Sequence, residues 1–431
     1  MPKSTPDASQ LRVAVDELAS GHFVAALDRP WSEVPVIFQG FEVRDDEELR
    51  ILRQHCEYVY VDRVRSRQSA LEALTPETAE KPTGPSKAPT PVERRDLAEV
   101  FSAARQPDKD VFRELVSEAN KNRAAALEFM DGVMSSLAAG EILDADSARA
   151  AVSDLAGTVA RNTTASLWLT NLRDRDEYLT RHAINVCVLM LAYGVHHGFA
   201  RSDLERMAMG ALLMDVGMTK LPHSILAKTG QLSADEMEVM MRHPREGVEI
   251  VRAAGFLPRE TLEIIQMHHE RLDGSGYPHG LQATQLPLHA RLAGMLDTYD
   301  AMTSPRAFQD ATPADRVLQY LLNEAESTFG PTPVQQLIQC IGLYPVGSLI
   351  ELDNGAVAIV VGSPPEARVR PTVLLVRTPD GDFYEKRILL NLAADPDASG
   401  PSARTVRRVL DPVYEDIDAP VIVALEFGMG E

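Results

Sequence analysis

The run His268-His269-Glu270-Arg271-Leu272-Asp273-Gly274-Ser275-Gly276-Tyr277-Pro278 concentrates more chemistry than any other stretch of the chain. Two imidazoles stand side by side, with carboxylates close behind them. Adjacent helical residues point roughly 100° apart, so neighbouring histidines seldom share one packing role. They can share a polynuclear metal centre, or one can hold a metal while the other meets a substrate. Gly274 and Gly276 let the backbone turn sharply or approach a ligand closely. Pro278 stiffens the exit. For the histidine pair alone, the competing reading is a polar helix C-terminus, which any His-His-Glu before glycines would suit.

These residues need a scaffold, and composition bounds it. A chain of 431 residues has room for two or three domains. Its net charge of -20 argues against a surface for nonspecific nucleic-acid or anionic-membrane binding. An anionic ligand would have to be held by a local patch of metal and arginine against that overall field. Cys56, Cys187 and Cys340 are far apart and match no zinc spacing. Such a sparse, odd set suggests reduced thiols in the cytosol. No apolar run is expected to reach membrane-spanning length, and the N-terminus carries no apolar signal core. The expected location is the cytoplasm, with no membrane and no nucleic-acid polymer as partner.

The elements follow from local patterns. Residues 1–65 read as a small α/β domain. Within it Val34–Phe38 is extended, Asp45–Leu52 is a helix with acidic residues in its first turn, and Tyr58–Asp62 alternates like a strand. Residues 66–92 form a linker punctuated by Pro76, Pro82, Pro85, Pro89 and Pro91. Residues 93–172 read as a helical connector, with a helical hairpin over Ala98–Gly140. Residues 173–343 repeat a helix–loop rhythm. Ser202-Asp203-Leu204-Glu205 and Ser233-Ala234-Asp235-Glu236 are capping-box patterns, each opening a helix with a candidate ligand near its far end. Residues 344–431 read as a small β unit, with strands at Ser348–Leu352, Val357–Val361 and Val373–Val376. Asp353-Asn354-Gly355 and Asp380-Gly381-Asp382 form the turns. The fold class is mainly α, with small β-containing units at both ends.

The string HHExxDGxGYP resembles the signature of the HD-GYP family. Members are all-helical, metal-dependent phosphodiesterases of the HD superfamily that act on the bacterial second messenger cyclic di-GMP. The resemblance extends over roughly residues 170–345, so 173–343 is expected to be the HD-GYP domain. The pattern Gly21-His22-Phe23-Val24, Asp28-Arg29-Pro30-Trp31, Gly40-Phe41 and Val59-Tyr60-Val61-Asp62 resembles the small N-terminal domain that precedes some of these modules. A regulatory or docking role for it is expected from position only.

The resemblance implies a ligand set. Taken alone, His182 is more often a satisfied core histidine than a ligand. His243, before Pro244, is equally a cation at a helix C-terminus, and Asp297 reads as a solvated helix residue. In the family these positions bind metal. His182, Asp215 and Asp297 would form a first site; Asp215, His243, His268 and His269 would form a second, with Asp215 bridging. Leu212-Leu213-Met214-Asp215-Val216-Gly217-Met218 departs from the naming motif Leu-Leu-His-Asp-Ile-Gly-Lys. Met214 replaces a ligand, because thioether sulfur suits Cu(I) better than Mn(II) or Fe(II). Met218 replaces a lysine that contacts phosphate, and Lys220 lies two residues beyond that position. Tyr178 stands where a three-metal subset has glutamate, so no third metal is expected. The cofactor implied is a divalent metal, Fe or Mn, in two sites with one incomplete.

The resemblance further places substrate contacts. Arg306 would clamp a phosphate through paired donors, and Arg291 is a weaker candidate. Gln309 replaces a second basic residue. Tyr277, Pro278 and Gly276 would wall the base pocket, while Glu270 and Asp273 organise the turn. His196, His197, His279 and His289 match no ligand position. Met207, Met209, Met214, Met237, Met240 and Met241 read as core filling.

Two readings of different class follow. One is an enzyme that opens cyclic di-GMP to pGpG, and onward to GMP, with Asp215 central to catalysis. The other is a degenerate module that binds nucleotide or docks on a diguanylate cyclase or another signalling protein. Substitutions at Met214, Met218 and Gln309 favour the second, and the intact His-His-Glu string favours the first. A phosphodiesterase of another nucleotide is a third reading. A homodimer is compatible with each.

Overall fold

The computed structural model describes residues 10–19, 21–27, 41–43, 49–50, 52–53, 56–62, 66, 109–171, 178–228, 230–255, 258–304, 311–363, 369–394, 404–411 and 415–427. The strand read at Val34–Phe38, the first turn of the helix read at Asp45–Leu52, and nearly all of the proline-rich segment lie outside these residues. So do Arg306 and Gln309. The chain divides into two compact units, residues 1–92 with 196–200, and residues 93–195 with 201–431.

The first unit holds an antiparallel sheet of β1 (Gln10–Ala14), β2 (Phe23–Leu27), β3 (Phe41–Glu42) and β4 (Tyr58–Asp62), in the order β1-β4-β2-β3. The alternation in β4 explains its register. Val59 and Val61 are fully buried beside Val13, Val24 and Leu52, while Tyr58 and Tyr60 point to the other face. Leu49–Arg50 and Leu52–Arg53 are helical, within the helix read from sequence.

The second unit is mainly helical. Its first part comprises α1 (Lys109–Ala138), α2 (Ala145–Arg161), α3 (Thr163–Leu169), α4 (Tyr178–His196) and α5 (Arg201–Leu213). Then follow α6 (His223–Leu226), α7 (Ala234–Met240), α8 (His243–Ala253), α9 (Arg259–Met267), α10 (Leu288–Thr303), α11 (Ala314–Asn323) and α12 (Pro331–Ile341). An antiparallel sheet comes next: β5 (Leu349–Leu352), β6 (Val357–Gly362), β7 (Thr372–Arg377), β8 (Phe383–Asn391) and β9 (Val406–Leu410), ordered β8-β7-β6-β5-β9. One face packs on Val116 of α1, Trp168 of α3 and Val423 and Phe427 of the closing helix α13 (Ala419–Phe427). The mainly α class with sheets at both ends is what the sequence indicates.

Several local expectations need correction. The hairpin read over Ala98–Gly140 has no turn within α1, which runs unbroken for 30 residues, and its residues 98–108 lie outside the described residues. α1 contains no proline, and one interior glycine costs only about 0.5–1 kcal/mol. Its helical partner is α2, capped by Asp144, whose carboxylate accepts from the amides of Asp146 and Ser147. Ser202 does not cap α5, which already begins at Arg201. Ser233 does cap α7, with the reciprocal Glu236 bond. His243 opens α8, with Pro244 in the first turn where its missing N–H costs nothing. It is therefore no cation at a helix C-terminus. Met207, Met209 and Met214 are core residues, but Met237 and Met241 are exposed. α4 is long and apolar enough to cross a membrane, against the expectation that no run would be, and 78% of that span is buried within the protein.

Candidate metal centre

Four packed elements carry the candidate residues. α9 packs on α5, α8 and α10, and α8 packs on the 3-10 turn Val216–Lys220. Gly217 in that turn makes the approach to α8 feasible. A Cβ on it would lie 2.0 Å from the His243 carbonyl oxygen and 2.5 Å from the Gly247 amide nitrogen. This crossing brings Asp215, at the head of the turn, to His243, at the head of α8. α9 ends at Met267, so His268 and His269 leave the helix together toward the same point.

Asp215, His243, His268 and His269 bring ligand atoms within 4.8 Å of one another. His243 Nε2 lies 3.5 Å and His268 Nε2 3.8 Å from Asp215 Oδ1. Backbone acceptors fix both tautomers. His243 Nδ1 donates to the Met240 carbonyl at 2.8 Å, and His268 Nδ1 to the Ile265 carbonyl at 3.1 Å. Burial pushes the pKa of both imidazoles below the ordinary value, as it does more strongly for His269. Neutral rings with protonated Nδ1 have bare Nε2 atoms. Those of His243 and His268 face each other at 3.3 Å. Two imidazole nitrogens each about 2.1 Å from one tetrahedral cation stand about that far apart. Three neutral imidazoles and a carboxylate therefore fit a divalent cation, and the backbone bonds supply the orienting contacts such ligands need.

His182, in the first turn of α4, stands beside the same carboxylate. Its Nε2 is 2.9 Å from Asp297 Oδ1 and 3.8 Å from Asp215 Oδ2, and its Nδ1 is 2.7 Å from Asp300 Oδ2. Burial works against its charge, but the hydrogen bonds to Asp297 and Asp300 override burial and raise its pKa well above the ordinary value. Burial likewise opposes the charge of Asp297, yet the His182 contact leads its pKa downward. Asp300 also accepts from Asn185 Nδ2 at 2.9 Å and Ser304 Oγ at 3.3 Å. Tyr178 stacks on His182 with ring centroids 5.5 Å apart. Met214 is wholly buried.

The turn after His269 covers the cluster. The Tyr277 ring stacks on His269 with centroids 4.5 Å apart, and its amide donates to the His269 carbonyl. Gly276 passes so close to the preceding backbone that a Cβ would lie 2.4 Å from Glu270 Cα. Glu270 is buried, and its carboxylate accepts from the amides of His279 at 2.7 Å and Leu281 at 2.9 Å. Asp273 is exposed and holds the Ser275 amide, which lowers its pKa. The Tyr277-Pro278 bond is cis, and Pro278 lies exposed beyond the cluster. Lys220 is exposed at the end of its turn, and Arg291 sits half-buried on α10.

Sequence reasoning missed three supports. Arg271 donates to the His268 and Glu270 carbonyls and lies over the Phe329 ring. Thr180 donates to Asp131 of α1 at 2.6 Å, two residues before His182. Gly217 is the third, and its place in the Met214–Met218 string is the signal that could have found it.

Residues 169–332 match the HD domain family, and residues 10–148 match a domain of unknown function, DUF3391. The cyclic di-GMP phosphodiesterase PA4108 of Pseudomonas aeruginosa is 28% identical over 365 residues, covering 84% of each chain. The cyclic di-GMP phosphodiesterase response regulator RpfG of Xanthomonas campestris pv. campestris is 39% identical over 33% of this chain and 38% of its own. The 3'3'-cGAMP-specific phosphodiesterase 2 of Vibrio cholerae is 34% identical over 33% of this chain and 28% of its own. The protein thus carries an HD domain preceded by a DUF3391 region. It is an HD-GYP domain protein whose HD pair reads Met214-Asp215.

Proposed function

We propose that this protein is a metal-dependent phosphodiesterase that hydrolyses cyclic di-GMP to pGpG, and onward to GMP, in bacterial signalling. The observation that carries the reading is the convergence of Asp215, His243, His268 and His269 on one point. These residues would hold the second cation, and His182, Asp215 and Asp297 the first, with Fe or Mn as the metal. Bound divalent cations lower the pKa of a water nucleophile and neutralise phosphate charge. Asp215 spans both sites, since Oδ1 faces His243 and Oδ2 faces His182. Tyr277 and Gly276 shape the wall over His269, with Pro278 at its outer edge, and Arg306 supplies a phosphate contact. Glu270 and Asp273 hold the turn in place. Residues 1–65 act as a regulatory domain, joined by 66–92 and the connector 93–172 to the catalytic module 173–343, with 344–431 as an accessory β unit. A cytoplasmic setting belongs to this reading.

A specific observation favours the runner-up. Met214 leaves the first site one imidazole short, and His182 is tied to two carboxylates. A weakly active or inactive module would then bind nucleotide, or dock on a diguanylate cyclase or another signalling protein, alone or as a homodimer. Anaerobic reconstitution with Fe(II) or Mn(II), followed by a cyclic di-GMP hydrolysis assay, separates the two. Turnover that disappears in Asp215→Ala is the expected result. Absence of turnover with either metal would reject the enzyme reading and leave the binding one.

A further inference from the structure

α1 touches both elements that bring Asp215 and His182 together. Its buried positions Val116, Ala119, Arg123, Ala126, Met130 and Val133 recur at alternating steps of three and four, so one straight stripe faces inward. α1 packs on α2 and α3, and also on the Val216–Lys220 turn that follows Asp215. Asp131 stands beside Met130 at the edge of the stripe, and its carboxylate accepts from the Thr180 hydroxyl at 2.6 Å. Thr180 is buried in the first turn of α4. Threonines deeper in a helix fall back on their own backbone: Thr298 donates to the Gly294 carbonyl and Thr303 to the Tyr299 carbonyl, each four residues earlier. Thr180 has no carbonyl at that spacing within α4, and its hydroxyl reaches another helix. A carboxylate acceptor makes a stronger hydrogen bond than a neutral one, and the macrodipole favours negative charge at a helix N-terminus. The first turn of a helix has no internal partners for its amides, so outside ties fix where it lies. This turn carries His182. Asp131 belongs to the DUF3391 region and Thr180 to the HD domain.

We propose that Asp131 is a positioning residue for the first cation site, acting through the Thr180 hydroxyl to fix the turn that carries His182. The role rests on the metal-centre reading. With Met214 in the HD pair, His182 supplies the imidazole of that site, and metal–ligand distances tolerate only about 0.2 Å either way. A loosened turn is therefore felt as lost first-site affinity, while the second site takes no ligand from α4. The test is Mn(II) binding to the full chain, read by electron paramagnetic resonance, with His182→Ala marking which equivalent belongs to the first site. Thr180→Val keeps the side-chain shape without the hydroxyl. It should weaken the first-site equivalent about tenfold and leave the other within about twofold. Asp131→Ala should do the same, and the double variant should be no worse than either single one, because both remove one hydrogen bond. Thr180→Ser keeps the hydroxyl and should recover most of the loss. Equal losses at both equivalents, additive losses, or no rescue by Thr180→Ser would mark a merely structural role and overturn the positioning one. Unchanged first-site affinity in folded Thr180→Val overturns it as well. Thermal melts establish folding, and where Asp131→Ala unfolds, Thr180→Val against Thr180→Ser still decides. A parent that binds no cation sensitive to His182→Ala removes the first site itself. A parent that binds one, with variants that leave it unmoved, removes the role of Asp131 alone.

Discussion

Replacing Gly217 with alanine tests whether a backbone crossing sets the metal geometry. The new Cβ would lie 2.0 Å from the His243 carbonyl oxygen, 2.5 Å from the Gly247 amide nitrogen and 2.9 Å from the His243 carbonyl carbon. All three are backbone atoms, so no rotamer change relieves the overlap. Cβ contacts below 3.0 Å essentially never occur, so the turn and α8 must separate by about 1 Å. These two elements carry Asp215 and His243, whose ligand atoms lie 3.5 Å apart. Metal–ligand distances tolerate about 0.2 Å either way. A separation several times larger removes one ligand from the second site, and affinity should fall by at least about 10–100-fold. Turnover should fall about 100-fold, and overpacking should cost about 1–3 kcal/mol of stability. Gly132→Ala serves as control, because its Cβ would meet nothing within 4 Å in the middle of α1. It should stabilise the protein by about 0.5–1 kcal/mol. Free Mn(II) read by electron paramagnetic resonance, chromatographic turnover and thermal melts measure the three effects. A Gly217→Ala protein that binds Mn(II) and turns over within twofold of the parent would refute the reasoning.

Met214→His should restore a first-site ligand. In chelator-stripped protein the buried polar ring should cost about 1–3 kcal/mol, and Mn(II) should return that stability while first-site affinity rises at least about tenfold; an unchanged affinity in folded protein would count against the site assignment. His182 carries a pKa raised well above 6.5, since its bonds to Asp297 and Asp300 override burial. Its contribution to the stripped protein is full below about pH 6.5 and is lost as pH rises through the raised value. First-site metal must displace that proton, so its affinity should climb up to about tenfold per pH unit above neutrality, as a Mn(II) titration across pH would measure. Glu270→Ala leaves the His279 and Leu281 amides without their acceptor. It should cost about 1–3 kcal/mol and raise KM through the Tyr277 wall more than it lowers metal affinity; a thermal melt, steady-state kinetics and metal titration together check this.

The legible parts of this chain were those with a short-range signature. Alternation placed β4, and the Ser233–Glu236 pair placed the start of α7. Strands β8 and β9 went unread because β8 is exposed along most of its length and lacks a clean alternation, and β9 carries two consecutive arginines. Helix ends near the site were misjudged for a related reason. His243-Pro244 can close one helix or open the next, and only the packing of α8 on the Gly217 turn decides between them. The converging residues Asp215, His243, His268 and His269 were named through the family resemblance of the strings that hold them. The supports that orient them, the Met240 and Ile265 carbonyls, are backbone atoms, and no residue type announces them.

That division bears on what the loss of the HD histidine does. On the proposed reading, the second site would draw its histidines from the head of α8 and the end of α9, with its geometry set by the Gly217–Gly247 crossing and by backbone acceptors. None of these depends on the side chain at position 214. On that reading the substitution would be confined to the first site, where Asp297 and Asp300 engage both nitrogens of His182. A protein altered in this way should keep one tight cation and lose grip on the other, so its turnover should rise with metal concentration well after the first equivalent is bound. The concentration at which turnover saturates thus measures the first site alone, and a single saturation at one equivalent would show that one metal suffices.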